Sequence, residues 1–229
     1  MPSASTIITT SITARWSFIV SVSLPIVGEP EVLRLASVSS TQDVARKMPV
    51  GSIVIADHQT AGRGRLDRRW EAPVGTALLV SFVLPADPLL SLRAGVAAAE
   101  ACDMRVKLKW PNDLLLHGRK LGGILVETKA GKAICGLGIN LTWAPDGAAQ
   151  LNQPRDLVFE QLREKMYQWT AAPPERVLMR WRELSASLGR RVRVEVSGRT
   201  TEGIAEDIGP RGELIVDGHP FVAGSVTHL

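Results

Sequence analysis

Cysteine is nearly absent from this sequence: Cys102 and Cys135 are the two thiols in 229 residues. Neither sits in a CxxC pair or near a metal-like histidine spacing. A disulfide scaffold and a zinc site are therefore set aside in favour of buried, reduced thiols. A basic tail is missing as well. Lys and Arg number 27 against 23 Asp and Glu, a formal net charge of +4, so any cationic function must be local. The usual nucleotide signatures are lacking: there is no GxxxxGK(S/T), and Gly136-Leu137-Gly138 does not continue as GxGxxG. If ATP binds, it binds without a P-loop.

Long apolar runs are also missing. The stretch from Ser17 to Leu24 is too short to span a bilayer. The first 30 residues have no basic start and no A-x-A-like cleavage site, and Arg15 is their single base. A signal peptide and a transit peptide are both disfavoured, leaving an extra strand, a loose extension or a start codon placed too early. No internal repeat, low-complexity tract or strong linker follows. What remains is ordinary globular material, 45% hydrophobic and 22% charged, long enough for one catalytic domain and a small appendage.

From Glu31 the pattern becomes regular. Val32 to Leu35 reads as a strand, and Ser39-Ser40-Thr41 supplies N-cap candidates for a short helix through Lys47. Ser52 to Ala56 is a strand of the buried type. A polar, glycine-rich loop runs from Asp57 to Gly75, and a strand returns over Thr76 to Leu84, ended by Pro85. Ser91 is the candidate cap of an alanine-rich helix to about Met104. Strands are expected over Val106 to Trp110, Gly123 to Glu127 and Ile134 to Leu141, with a loop between the first two.

Val158, Leu162, Met166 and Trp169, then Val177, Leu178, Trp181, Leu184 and Leu188, recur at helical spacing. Their tryptophans are read as core. Beyond Gly189 the period becomes two, with Val192, Val194 and Val196 alternating with Arg191, Arg193 and Glu195. Turn signals then divide about forty residues into four or five short strands, the pattern of a small β-barrel. The expected division is 1–30 extension, 31–187 catalytic domain and 188–229 C-terminal domain.

Three stretches can carry chemistry. The run from His58 to Trp70 places Arg63, Arg65, Arg68 and Arg69 beside Gly62 and Gly64. Glycines let backbone approach a ligand, and guanidinium forks suit carboxylate or phosphate; a solvated basic loop or a nucleic-acid patch is the alternative. Lys109-Trp110-Pro111-Asn112-Asp113 precedes Arg119-Lys120-Leu121-Gly122-Gly123, so Asp113 lies seven residues before Lys120. It is placed to hold that lysine charged and aimed, unless the pair merely decorates a hairpin. Gly136-Leu137-Gly138-Ile139-Asn140 vacates one face of a strand, for a flat ligand or for a closely packed helix.

Taken in order, Ser-Ser-Thr, Gln-x-Ala-Gly-Arg-Gly-Arg, Lys-Trp-Pro-Asn-Asp, Arg-Lys-Leu-x-Gly-Ile-Leu-x-Glu and Gly-x-Gly-Ile-Asn resemble the bacterial biotin-protein ligase family, from about Val32 to the C-terminus. The resemblance implies an α+β fold: a mixed-sheet catalytic domain of the biotin/lipoate ligase type and an SH3-like C-terminal β-barrel. It implies activation of biotin by ATP with Mg²⁺, then transfer to a lysine of a biotin carboxyl carrier domain. By that similarity Ser40, Thr41, Gln59, Gly62 and Arg63 would contact biotin's ureido head or line its pocket. Lys120 would reach its carboxylate, and Gly123, Leu125, Gly136 and Gly138 would wall it. Arg65, Arg68, Trp70, Asn112, Lys120 and Asn140 would serve the adenylate, with Lys120, Arg65 and Asp113 as the catalytic group and no protein ligands assigned to a metal.

Two departures stand out. Gln42 replaces the family's usual Asn, and Leu66-Asp67 replaces a more basic or glycine-rich pair. The resemblance is to the form without a DNA-binding domain, because the first thirty residues show no pair of amphipathic helices. A cytoplasmic enzyme without specific DNA or membrane binding is expected, monomer or homodimer being open. A lipoate-protein ligase and a non-enzymatic nucleic-acid-binding protein are the alternatives.

Overall fold

The structure, a computed structural model, describes residues 31–229; the expectation for residues 1–30 lies outside the described residues. The first sheet contains β1 (Val32–Leu35), β2 (Ile53–Ala56), β3 (Ala77–Pro85), β4 (Lys107–Lys109), β5 (Asp113–Leu116), β6 (Arg119–Lys129) and β7 (Lys132–Asn140). Their order is β1-β2-β3-β7-β6-β5-β4, and β1 with β2 is the parallel pair in an otherwise antiparallel sheet. This is the expected mixed sheet.

Period-two patterning assigns the two faces. Along β7, Ala133, Cys135, Leu137 and Ile139 join the main core. There the sheet packs against α2 (Leu90–Cys102), α3 (Arg155–Thr170) and α4 (Pro174–Leu184), whose Trp169 and Trp181 are buried as core. The alternate residues face the other way, where Ile134 meets Val54, Val83 and Ala45 of the short helix α1 (Thr41–Ala45). Fully burying a Val, Leu or Ile side chain in these clusters stabilises by about 1.5–3 kcal/mol. Both cysteines are buried and free, and burial pushes each thiol up to about 12.

Four boundaries differ from the sequence reading. α1 stops at Ala45, short of Lys47. Ser91 lies inside α2, where its hydroxyl donates to the Pro111 carbonyl at 3.2 Å. Asp87 satisfies the helix start instead, accepting from the Leu89 amide at 2.7 Å. The loop before Gly123 is a hairpin of β5 and β6, turning at His117 and Gly118, both left-handed. α4 ends at Leu184 because Ser185 is extended and bridges Leu108, leaving Leu188 outside the helix.

The second sheet comprises β8 (Arg191–Val196), β9 (Arg199–Ile208), β10 (Leu214–Val216), β11 (His219–Phe221) and β12 (Ser225–His228). Its order, β11-β10-β9-β8-β12, leaves β11 and β12 as open edges. The SH3-like strand set is present, but the expected barrel does not close, since closure would need those terminal strands to pair. The sheet is fastened to the first sheet around Trp110, whose backbone amide donates to the Ser187 hydroxyl at 3.3 Å and whose indole donates to the Gly212 carbonyl at 2.9 Å.

Candidate active site

The cavity opens on the α1 face of the first sheet. Its lining includes Ser40, Thr41, Gln59, Arg63, Arg65, Arg68, Trp70, Asn112, Asp113, Lys120, Gly123, Leu125, Gly136 and Gly138, brought together from five separate motifs. Two expected members stand outside this lining. Gly62 sits where an added Cβ would meet the Trp70 carbonyl at 2.3 Å, so its service is to let two backbone segments approach. Asn140 is buried, and its amide donates to the Ala149 carbonyl at 3.0 Å, tying down the following loop.

The arginine-rich loop folds as a small hairpin. Trp70 donates its amide to the Gly62 carbonyl, Gly64 to Arg68, and Arg68 to Arg65. The two residues at its tip, Leu66 and Asp67, have φ of 55° and 57°. Positive φ at both central positions is the I′ pattern, which glycine and asparagine normally supply. The pair flagged as a departure therefore makes the turn at a local cost of order 1 kcal/mol or more for Leu66. Arg63 is held at the hairpin base by Asp43 at 3.0 Å and Glu127 at 3.1 Å. Arg65 donates to the side-chain oxygen Oδ1 of Asn112 at 3.2 Å, and burial pushes its guanidinium below the ordinary value, with Asp113 opposing and Arg68 adding to that shift. Arginine stays charged, so this desolvation is a cost that an anionic ligand would offset.

Lys120, on β6, lines the same cavity. Its ammonium is 2.7 Å from Asp113 and 6.0 Å from the centre of the Trp70 ring. The β5–β6 hairpin brings the two side chains together as an ion pair. Asn112 is fixed by donating to the Ile124 carbonyl at 2.7 Å.

The glycine face answers a question that spacing left open. An added Cβ on Gly138 would fall 2.5 Å from the Trp70 indole, and one on Gly136 would fall 3.0 Å from the Gln42 amide carbon. The vacated strand face thus receives an aromatic wall at one glycine and a side chain of α1 at the other. Gly224, Ser225 and Val226 of the second sheet also line the cavity; no local signal in the sequence announces them, since only tertiary packing brings them there.

Polar satisfaction is poor at this place and good elsewhere. Of the buried side-chain polar atoms without a partner among the described residues, Ser40 Oγ, Gln42 Oε1, Arg63 Nε and Trp70 Nε1 belong to cavity residues, and Tyr167 Oη does not. Buried polar groups are normally paired, so this clustering marks a place prepared for a polar ligand. Ser40 occupies the N-cap position of α1, yet its side chain makes no cap bond.

An antiparallel-dominated mixed sheet, a cationic hairpin over a glycine floor and an appended small sheet together define a ligase of the biotin/lipoate type. The Biotin/lipoate A/B protein ligase family matches residues 35–142, and the Biotin protein ligase C terminal domain matches 187–229. The biotin--[acetyl-CoA-carboxylase] ligase of Mycobacterium tuberculosis is 34% identical over 212 residues, covering 78% of this chain and 79% of that protein. The bifunctional ligase/repressor BirA of Bacillus subtilis is 32% identical over 220 residues, covering 78% and 67%. A biotin protein ligase from Aquifex aeolicus in complex with biotin and ATP superposes with TM-score 0.74 at 23% identity, covering 87% of this chain and 98% of that one. The chain belongs to the biotin protein ligase family.

Proposed function

We propose that this chain condenses biotin with ATP to biotinyl-5′-AMP and then transfers biotin to a lysine of a biotin carboxyl carrier domain. The observation that carries the reading is the Lys120 ammonium, fixed on Asp113 at 2.7 Å in a cavity that also holds Arg65 and Arg68.

Adenylation must bring a carboxylate against the α-phosphate. Two unit charges about 4 Å apart repel by about 4 kcal/mol at an effective dielectric near 20, and about 1.4 kcal/mol is a factor of ten in rate. An ammonium has three donors. With one spent on Asp113, Lys120 keeps two, one for the biotin carboxylate and one for the α-phosphate. A carboxylate oxygen bonds to phosphorus as the bond to the leaving pyrophosphate breaks, and Arg65 and Arg68 stabilise the phosphate charge. In the second step the acceptor amine, deprotonated, attacks the acyl carbon and AMP leaves. The hairpin and the Trp70 wall shield the anhydride from water.

Mg²⁺ suits the site as an ion carried by the nucleotide. No group of three or more His, Cys, Asp or Glu side chains able to hold a metal occurs among the described residues. Asp113 is the carboxylate lining the cavity, with Asn112 beside it. Magnesium typically uses one or two carboxylates plus substrate phosphates. When bound it would neutralise phosphate charge.

In this reading Ser40, Thr41, Gln59 and Arg63 serve the biotin head, Gly123, Leu125, Gly136 and Gly138 its walls, and Trp70 and Asn112 the adenylate. Residues 31–187 act as the catalytic domain and 188–229 as the C-terminal one. No helix among the described residues is long and apolar enough to cross a membrane. The buried free thiols favour a reducing compartment, the cytoplasm, where a carrier domain and ATP meet. The deciding experiment is ATP-pyrophosphate exchange with biotin or lipoate, followed by mass measurement of a carrier domain incubated with biotin, ATP and Mg²⁺. Biotin-dependent exchange and a carrier mass raised by one biotinyl group are expected; exchange with lipoate alone, or none, would refute the assignment.

A further inference from the structure

Gln42 lies in the first turn of α1, and its side chain lines the cavity. It is 4% exposed. Its Nε2 donates to the Leu125 carbonyl at 3.1 Å. A carbonyl accepts only from a donor, so that bond fixes which end of the amide is nitrogen. Oε1 is therefore the other end, and it is buried without a partner. Gly136 makes room for the group: a Cβ there would lie 3.0 Å from Cδ and 3.2 Å from Oε1. The amide is held by one bond and one backbone surface, with a pure acceptor left over.

The neighbouring groups are committed differently. Gln59 Oε1 already accepts from the Thr41 amide at 2.8 Å and from the Thr41 hydroxyl at 3.0 Å, so Gln59 turns its Nε2 donors to the remaining space. Ser40 Oγ, unpartnered, can donate or accept. A cyclic urea needs donors at its carbonyl and acceptors at its two N–H groups. Of these three side chains Gln59 offers donors, Ser40 can act either way, and Gln42 Oε1 is the atom that can only accept.

We propose that Gln42 Oε1 accepts a ureido N–H of the substrate's ring and is a specificity-determining residue of this chain, selecting an acid with a cyclic urea over one whose ring offers no N–H. This inference rests on the biotin reading above. Losing one partner of a buried hydrogen bond corresponds to about 5- to 150-fold in affinity.

The test compares Gln42→Met and Gln42→Leu with the unaltered protein in biotin-dependent pyrophosphate exchange. At least a fivefold rise in the biotin KM is expected, with kcat and the ATP KM within twofold. Biotin methylated on one ureido nitrogen supplies a second readout: for one of the two isomers, the penalty seen in the unaltered protein should shrink in the variants. A biotin KM within twofold of the unaltered value, or undiminished penalties for both isomers, overturns the proposal. Should neither variant fold, the unaltered protein decides: labelled at glutamine ¹³Cδ, its assigned Gln42 resonance should move downfield on biotin saturation, and a resonance that stays in place overturns it. If the unaltered protein shows no biotin-dependent exchange or binding at all, the functional reading fails first, a result distinct from failure at Gln42.

Discussion

Two buried polar regions sit on opposite faces of the same sheet, and they are treated in opposite ways. On the helical face, Arg93 is 5% exposed. Its guanidinium bonds to Asp87 at 2.7 Å and to the Trp169 and Ala172 carbonyls at 2.7 and 2.6 Å. Glu100 nearby accepts from Trp169, Arg180 and Lys165; burial alone would raise its pKa, but these partners together bring it below the ordinary value. Arg93 and Glu100 each meet three partners, and Tyr167 Oη is the one buried atom outside the cavity, among the described residues, left without one. On the cavity face, Ser40, Gln42, Arg63 and Trp70 each keep a buried atom without a partner. A satisfied buried charge holds the fold together, whereas unsatisfied buried polarity around a cationic cleft leaves bonds to be completed by substrate.

That contrast can be broken most forcefully at Arg93. Arg93→Leu leaves the buried Trp169 and Ala172 carbonyls, and Asp87 at 29% exposure, without their donor; at about 1–3 kcal/mol for each buried group left unpaired, stability should fall by about 2–6 kcal/mol in chemical denaturation. Once folded, the variant should keep its biotin KM. A change confined to KM would mean that the two faces are not separable in this way.

Lys120→Ala is the mirror experiment on the cavity face. The Lys120 side chain is itself 44% exposed, so water already screens the pair and unfolding should change little. Pyrophosphate exchange should fall by about 100- to 1000-fold, the range for deleting one preorganised electrostatic contact. Normal adenylate formation would remove Lys120 from the chemistry.

Gly138→Ala sharpens the view of the glycine floor. The new Cβ would lie 2.5 Å from the Trp70 ring, so the indole must leave its place. An overpacking penalty of about 1–3 kcal/mol divides between stability and substrate binding. A rise of about tenfold in the biotin KM is expected, whereas Gly122→Ala, whose Cβ would meet the Gly138 carbonyl at 2.7 Å and Leu114 at 3.0 Å rather than the indole, should act on stability more than on KM.

Acid should act on the join between sheets more than on the cavity. His228 lies 3.0 Å from the Ser187 hydroxyl, and burial, with Lys109 and Arg190 adding, lowers its pKa below 6.5. Between the lowered folded value and 6.5 the unfolded chain binds the extra proton. The stabilisation is therefore complete above pH about 6.5 and declines as pH falls below it. Melting temperature should drop more steeply from pH about 7.5 to about 5.5 in the unaltered protein than in His228→Gln; equal slopes would detach His228 from the effect.

The smallest effect is expected at the hairpin tip. Leu66 is exposed and left-handed. Relief of the backbone cost in Leu66→Gly is offset by glycine's extra freedom in the unfolded chain, leaving a net change within about 1 kcal/mol. Protease cleavage between Asp57 and Gly75 should slow slightly, and a marked acceleration would show that the leucine side chain, not the backbone, maintains the turn.

Much of this arrangement was readable along the chain. Alternation at Val192, Val194 and Val196 and helical spacing through Trp169 and Trp181 are local signals, because side-chain direction repeats every two or 3.6 residues wherever the element sits. The five ordered motifs placed Lys120, Asp113 and the arginines in one cavity before any geometry was available. Ser91 misled because a serine near a helix start resembles a cap whether or not Asp87 reaches the amides first. Asn140 and Gly62 belong to the same motifs as the lining residues, yet one bonds to a neighbouring loop and the other spaces two backbones.

The sequence by itself therefore determined the elements, the motif order and the chemical class of the cleft. Tertiary structure alone decided that the second sheet stays open, that Ser225 reaches the cavity, that Trp70 covers Gly138, and that Gln42 spends its nitrogen on Leu125, 83 residues away. Periodicity carries information over a few residues, whereas the partner of a buried amide is selected by which distant backbone the packed sheet brings within hydrogen-bonding distance.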